Sequence, residues 1–573
     1  MPWMRMRDAR NAAFWVLAGL LLGILAAAQI TSARLEVQTP DEAVHLVSGY
    51  SIWREGRFSL NAENPPVSKL LSAAPLLWLK PDLPREKGDA WQEENSVAIS
   101  VPFLYRNRLP ADRILFWGRV PTMLVTLGFG AALAAWTRYR FGRRAALAAL
   151  ALFCLDPNVV AHGRYVTSDM HGACFYFLAA VAWGEYLVRR RFVFLAAAAV
   201  LSAVGICAKF NLVILPVLFL AMTLWHAHAK RQRVAGRTWR DFALYLAILA
   251  PVIWALYGFE MRTMASDQPV ARFLSLDSGA LRATAVLPRP AIALLDPSTP
   301  AGTFVHWIAA HVPIPAYSFF KGLYRLFNHS YWGHRGYLLG RVSDRGWWYY
   351  FPIAFLVKTP TGTLLLLILA ASLGRRLRTG EYPLGLLLIP PAFYFALSID
   401  SSINIGWRHI LPIYAFLFVW AGIAISQVRG ARRAIAGLAL LLLGCESALI
   451  YPDYLAFFNS LSGGSRNGPR YLLDSNIDWG QDVLKLKRYM ARQGLPSIAL
   501  DYFGSADLAY YGVRFEPLAG ALRRAERRQA AFSVTQWQWH PEYAWLRRCE
   551  PLARVGYSIY IYDLNSPGCP ARE

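Results

Sequence analysis

Asp41 and Glu42 stand near the start of TPDEAVHLVSGYSIWREGRFSLNAENPPVSK, residues 39–69, directly after an apolar run long enough to cross a membrane. A carboxylate near hydrocarbon is costly unless water, a cation or a substrate meets it, so this pair is the first candidate for chemistry. In a closed site such a group can serve as general base toward a hydroxyl. Thr39-Pro40-Asp41-Glu42 also satisfies a helix-start rule, with Thr39 as N-cap, Pro40 in the first turn and Glu42 closing a capping box. The two readings are compatible, because a helix start fixes a carboxylate rigidly. Asp169 in RYVTSDMH poses the same choice between capping and catalysis. Lys209, among Ile206, Cys207 and Leu212, either snorkels to the interface or meets an anion such as a lipid phosphate. Arg408 and His409 in NIGWRHILP begin a span and read as phosphate ligands or as interface markers. His311, His329 and His334 lack metal-ligand spacing and read as loop hydrogen-bonders.

The elements that must position these residues are membrane spans. Of 573 residues 55% are hydrophobic, with 21 Trp and 28 Tyr, and the mean hydropathy is +0.29. This is the composition of a polytopic membrane protein in a lipid bilayer. The net charge of +24 raises nucleic acid as a partner. Most Lys and Arg, however, sit in short clusters between apolar runs, as cytoplasmic anchors do, which argues against a nucleic-acid partner. Apolar runs at 11–31, 113–137, 145–160, 170–188, 193–208, 210–226, 241–258, 347–371, 383–399, 409–428 and 433–450 predict about eleven spans. The N-terminal arm lacks a convincing cleavage site and reads as part of a retained first helix. Residues 191–230 are too long for one span and predict a tight helical hairpin with Lys209 at its tip. Basic clusters fall on every second connection, which predicts a cytoplasmic N-terminus and a C-terminus on the opposite, outer face. Asp41, Asp169, Lys209 and Arg408 then share the outer face. The first outer loop, 32–112, predicts interfacial helices over 39–55 and 65–80.

After residue 450 the hydropathy falls. Residues 478–493 have helical period, while SIALDYF, AAFSVTQW and RVGYSIYIYDL read as strand-forming. The expected architecture is an α-helical polytopic module over 1–450 and a small α/β domain on the outer face over 451–573. Cys549 and Cys569 lie in that exported part, where an oxidising compartment favours a bridge between them.

The order of these features resembles a known family. DE after the first span, ENPPVSK in the same loop, an Asp opening the fourth span and a Lys at a hairpin tip resemble the GT-C glycosyltransferases of the protein O-mannosyltransferase and lipid A aminoarabinose transferase group, of family-39 type. YLLGRVSDRGWWYYFPIAFLVKTP, NIGWRHILPIY and YLLDSNIDWGQD look like a bacterial branch of that superfamily. The resemblance implies a GT-C fold and a polyprenyl-phosphate sugar as donor, with an acceptor lipid, glycan or protein. It places Asp41 and Asp169 at the family's two acidic positions, with Glu42 beside the first, and Lys209 at the donor phosphate. Glu63 falls near a first-loop acid that binds a divalent ion in some relatives, so a divalent metal is the one cofactor implied. The chain departs from the aminoarabinose transferases at Asn64, where they carry a Lys, and its C-terminal domain differs from the protein mannosyltransferases' inserted trefoil.

Transfer from a sugar phosphate asks for a base at the acceptor hydroxyl, for which Asp41 is the choice, and for cations to meet the leaving phosphate, for which Lys209 and Arg408 are. Two other classes compete. A transporter or flippase of lipid-linked sugars needs charges near mid-membrane and matched broken helices. A non-catalytic assembly subunit would use Asp41 only as a cap.

Overall fold

The computed structural model describes residues 2–84, 89–231, 236–267, 270–271, 296, 298–518 and 529–564. Helices dominate up to residue 449, and several are apolar over a membrane's thickness. The protein is a multi-pass membrane protein.

Among the described residues five helices are long and apolar enough to cross a bilayer: Asn11–Ala33, Ala111–Phe141, Phe210–Ala229, Gly236–Leu256 and Trp407–Gln427. Other expected spans are shorter or broken. The run at 347–371 is two helices, Tyr350–Lys358 and Thr361–Leu373, bent by 109°. The break falls at Thr359-Pro360, because the proline ring pushes the preceding residue out of helical conformation and removes a backbone donor. The run at 145–160 likewise stops at Leu155. Asp156 then caps a new short helix, Pro157–His162, by accepting the N–H groups of Asn158 and Val159.

The hairpin at 191–230 forms as expected, with helices Phe192–Ala208 and Leu215–Ala229 and Lys209 at the turn between them. The first loop is helical at both expected places, as Pro40–Glu55 and as Pro66–Ala73 followed by the single turn Leu76–Leu79, and it also holds Ser96–Tyr105. Pro40–Glu55 and Pro66–Ala73 pack so closely that a Cβ on Gly49 would collide with the Lys69 carbonyl. Lys69 itself is buried and donates to the carbonyls of Leu60 and Asn61, which fixes the loop between those helices.

Near the C-terminus five strands form a sheet in the order Phe515–Pro517, Ile498–Asp501, Gln529–Ser533, Ile559–Asp563, Ala553–Val555. The first three run parallel and the last two are antiparallel. The segment AAFSVTQW is part strand and part helix, since Val534–Trp539 is helical. Cys549 is disulfide-bonded; the expected partner Cys569 lies outside the described residues.

One hydrophobic cluster continues from the membrane helices into the sheet. Tyr454, Leu455, Phe457, Leu473, Ile477 and Trp479 are buried with the membrane helices in one cluster. The segment DSNIDWGQD is keyed into the helical part by hydrogen bonds. Asn476 accepts from Trp407 N–H at 2.9 Å and from the buried ammonium of Lys358 at 2.7 Å, and Ser475 Oγ donates to Ile405 O at 2.7 Å. A Cβ at Gly406 would strike Ser475 Oγ, so that position accepts only glycine without displacing the segment.

Candidate active site

Segments far apart in the chain converge on a cavity of about 720 Å³ lined by Asp41, His45, Glu63, Asp169, Lys209, Arg408 and Asp474, among others. Each charged group arrives at an element's end, where backbone direction rather than helix packing decides where it points. Asp41 sits in the first turn of Pro40–Glu55, and Asp169 opens the helix Asp169–Arg189. Lys209 follows the last residue of Phe192–Ala208, and Arg408 lies in the 3-10 turn Trp407–Ile410.

These four make one chain of ion pairs. Lys209 Nζ donates to Asp169 Oδ1 at 2.5 Å, and Arg408 Nη1 bridges Asp169 Oδ2 at 3.3 Å and Asp41 Oδ2 at 3.0 Å. Asp169 is 2% exposed, whereas the Asp41 side chain is 38% exposed, so the chain runs from a closed inner end to an open outer one. Charge-assisted bonds of this kind are short and directional, and they hold the cations at fixed positions. The guanidinium of Arg408 also lies over the Trp479 ring, 4.3 Å from its centre. Its Nε is buried without a hydrogen-bond partner, so the cation has donor capacity left over.

Glu42 does not belong to this set. It is fully buried and does not line the cavity. Both oxygens are taken: Arg119 binds them at 2.8 and 2.7 Å, Thr39 N–H donates to one at 2.9 Å and Val166 N–H to the other at 3.1 Å. Arg119 in turn donates to the carbonyls of Ala33 and Val37. Behind it Glu36 accepts from Arg164 and from the Tyr165 hydroxyl, at 2.9 and 2.8 Å. Glu42 therefore positions Asp41: it ties the start of its helix to the segment that leads into Asp169.

Glu63 reaches the cavity rim, where its carboxylate meets His329 Nδ1 at 2.5 Å, and His329 Nε2 lies 3.2 Å from His334 Nδ1. The hydrogen bond from Glu63 raises the affinity of His329 for its proton against the opposing effect of burial, while burial lowers that of His334. Among the described residues no group of three His, Cys, Asp or Glu is placed to hold a metal ion. Glu63 and His329 engage each other directly at the place where the resemblance implies a divalent ion.

Two cavity residues escaped the sequence reading. His45 is four residues past Asp41, on the same helical face. Burial lowers its pKa to about 4, so it is neutral there. That spacing was legible in the sequence. Asp474 was visible only as part of YLLDSNIDWGQD, and nothing local indicates that this segment returns to the first loop. The return is made by backbone and side-chain bonds, Val37 N–H to Gln481 O at 3.1 Å and Gln38 Nε2 to Ser505 O at 2.8 Å.

Comparison with known proteins adds the following. No curated protein matches the chain. The solved structure of apo ArnT from Cupriavidus metallidurans is 12% identical over 96% of this chain and 98% of its own, with a TM-score of 0.47. ArnT from the same organism bound to undecaprenyl phosphate is 13% identical over 96% and 97%, at 0.46. The Archaeoglobus fulgidus oligosaccharyltransferase in its apo form is 13% identical over 76% and 55%, at 0.40. Residues 114–255 match the dolichyl-phosphate-mannose-protein mannosyltransferase family, and this match bears out the resemblance to GT-C glycosyltransferases that the sequence motifs carry.

Proposed function

We propose that the protein is a membrane glycosyltransferase that moves a sugar from a polyprenyl-phosphate carrier to an acceptor hydroxyl, with Asp41 as general base. The observation that carries this reading is the continuous chain Asp41–Arg408–Asp169–Lys209, assembled from four distant segments within one cavity. The family match over residues 114–255 supports it, since that family is named for a sugar on a polyprenyl phosphate.

The residues divide the reaction as follows. Asp41 Oδ2 is held by Arg408, and the carboxylate's partial exposure lets Oδ1 take the proton of an acceptor hydroxyl. The acceptor oxygen forms a bond to the anomeric carbon as the bond from that carbon to the phosphate oxygen breaks, and the electron pair leaves with the phosphate. Lys209 and the unspent donors of Arg408 meet the added charge, in a cavity whose wall of Phe210, Leu323, Phe351 and Tyr394 keeps the local dielectric low. Asp169 keeps both cations in place before the donor arrives. Base assistance at the hydroxyl contributes about 10² to 10⁴ in rate. No step is routed through a metal at Glu63.

A transporter asks for paired broken helices in matching halves. Among the described residues only Tyr350–Lys358 with Thr361–Leu373 is so bent, and its break is occupied by Lys358 binding Leu455 O and Asn476 O rather than by an open site.

The basic clusters support a cytoplasmic N-terminus with the cavity and sheet on the opposite face, and the motifs that resemble a bacterial branch of the superfamily support a bacterial inner membrane, where that face is periplasmic. A reporter fused after Glu573 is expected to be active only as an exported fusion, and cytoplasmic activity would reverse the sidedness. The function is tested by incubating membranes with labelled polyprenyl-phosphate sugars. Label should pass to a lipid, glycan or protein in a manner that depends on this protein; label that stays on the carrier counts against transfer.

A further inference from the structure

The transfer reading gives the phosphate its cations and the hydroxyl its base, but it leaves one wall of the cavity without a task. That wall comes from the C-terminal segment and consists of Asp474, Trp479 and Phe503. Trp479 is accounted for by its contact with Arg408. Asp474 and Phe503 are not.

Asp474 has the marks of a side chain held for a ligand. Its backbone is in the left-handed region, with φ of 57°, a conformation that Asp tolerates better than most residues but that still costs energy. The strain is enforced from both sides: Asp474 N–H donates to the Thr535 hydroxyl at 3.3 Å, and Asp474 O accepts the N–H groups of Ile477 and Asp478 at 2.9 Å each. One carboxyl oxygen accepts Ser475 N–H at 2.5 Å, while the other makes no hydrogen bond among the described residues although the residue is only 8% exposed. Burial pushes the carboxyl up to about 7 against the pull of Arg408. A carboxyl in that range both accepts from and donates to hydroxyls. Asp474 is a third acid beside Arg408, after Asp41 and Asp169, and the wall it shares with Trp479 and Phe503 brings no cation of its own, so the phosphate belongs at the Lys209 side and the neutral part of the donor at the Asp474 side. Carbohydrate is the ligand chemistry that uses a lone carboxyl oxygen together with an aromatic ring, and Phe503 lines the same wall, braced edge-on by Trp539 at 5.3 Å.

We propose that the C-terminal segment reads the donor's sugar, with Asp474 binding its hydroxyls and Phe503 covering its apolar face. This rests on the transfer reading above and assigns a specificity role to a region that does not bind the lipid phosphate.

The test compares binding of undecaprenyl phosphate with that of undecaprenyl phosphate carrying mannose, glucose, galactose or aminoarabinose, using the purified full chain and the variants Asp474→Asn and Phe503→Leu. In the wild type at least one sugar-bearing lipid should bind about tenfold more tightly than the bare lipid, and each variant should lose most of that preference, because a site built to bond a hydroxyl discriminates by leaving polar groups unpaired. Bare lipid should bind each variant within about twofold of wild type, which also reports that the variant is folded. A preference retained by both variants, or no preference in the wild type, overturns the sugar-reading role. Failure of the wild type to bind even bare undecaprenyl phosphate overturns the transfer reading beneath it.

Discussion

Asp41 and Glu42 are neighbours in one helical turn, each ion-paired with an arginine, yet they belong to different machines. Glu42 is buried, and its two oxygens take four donors. Asp41 shares one oxygen with Arg408 and presents the other to a cavity. A saturated pair has nothing left to offer a substrate and can only hold the fold. An unsaturated pair of the same composition has lone pairs and donors to spare. Unspent bonding capacity and exposure, rather than charge, separate the proposed reacting acid from the supporting one.

The largest effect is expected where the saturated pair is cut. Glu42→Ala leaves Arg119 buried without its partner, and breaking one side of such a pair costs about 3 to 5 kcal/mol. Thermal unfolding in detergent should show a large loss of stability, and an unchanged melting temperature would mean that the Glu42–Arg119 pair does not anchor the first loop. By contrast, Asp41→Asn should leave the melting temperature nearly unchanged, since Thr39 rather than Asp41 caps the helix, the Asp41 side chain is 38% exposed, and the amide oxygen can still accept from Arg408.

On the cavity side, Lys209→Met keeps the stem and removes the charge. Affinity for a polyprenyl-phosphate sugar should weaken by about 1.5 to 3 kcal/mol, the range for a hydrogen bond to a charged group, with Asp169 left to Arg408 alone. Donor binding that is unaffected while expression falls would return Lys209 to the supporting class with Glu42.

A smaller, pH-dependent effect sharpens the comparison at the C-terminal segment. Asp478 is buried and its pKa is raised to about 8 from an ordinary 3.8, chiefly by desolvation, against N–H bonds from Thr535 and Gly480. The folded state thus holds a proton that the unfolded chain releases. The stabilisation is full below about 4 and is lost as pH rises through about 8, the window between the two values. Asp478→Asn keeps a neutral group in place, so it should match wild type near pH 4 and melt higher than wild type at pH 9. Parallel melting curves across that range would show that Asp478 is ionised in the fold.

Much of this site was legible before the fold. Lys209 at a hairpin tip follows from an apolar run too long for one span, and Asp169 at a helix start from its place after Ser168. The division of labour between Asp41 and Glu42 was not legible, because it depends on Arg119, Val166 and the turn of the chain between them. The bend at Thr359-Pro360 shows the limit of hydropathy: apolar composition counts residues and does not register a backbone break. The convergence of 474–482 on the first loop was out of reach for a different reason, since it is made by hydrogen bonds between segments hundreds of residues apart.

The central claim is that Asp41 deprotonates the acceptor in a sugar transfer from polyprenyl phosphate. The most direct measurement is the rate at which the purified protein, supplied with acceptor-bearing membranes, converts a labelled polyprenyl-phosphate sugar to polyprenyl phosphate and glycosylated acceptor, for wild type and for Asp41→Asn at equal donor occupancy. The account predicts conversion by the wild type and a rate about 10²-fold or more lower in the variant, with donor affinity and folding retained. Equal rates in the two proteins, or a carrier that keeps its sugar in both, would contradict it.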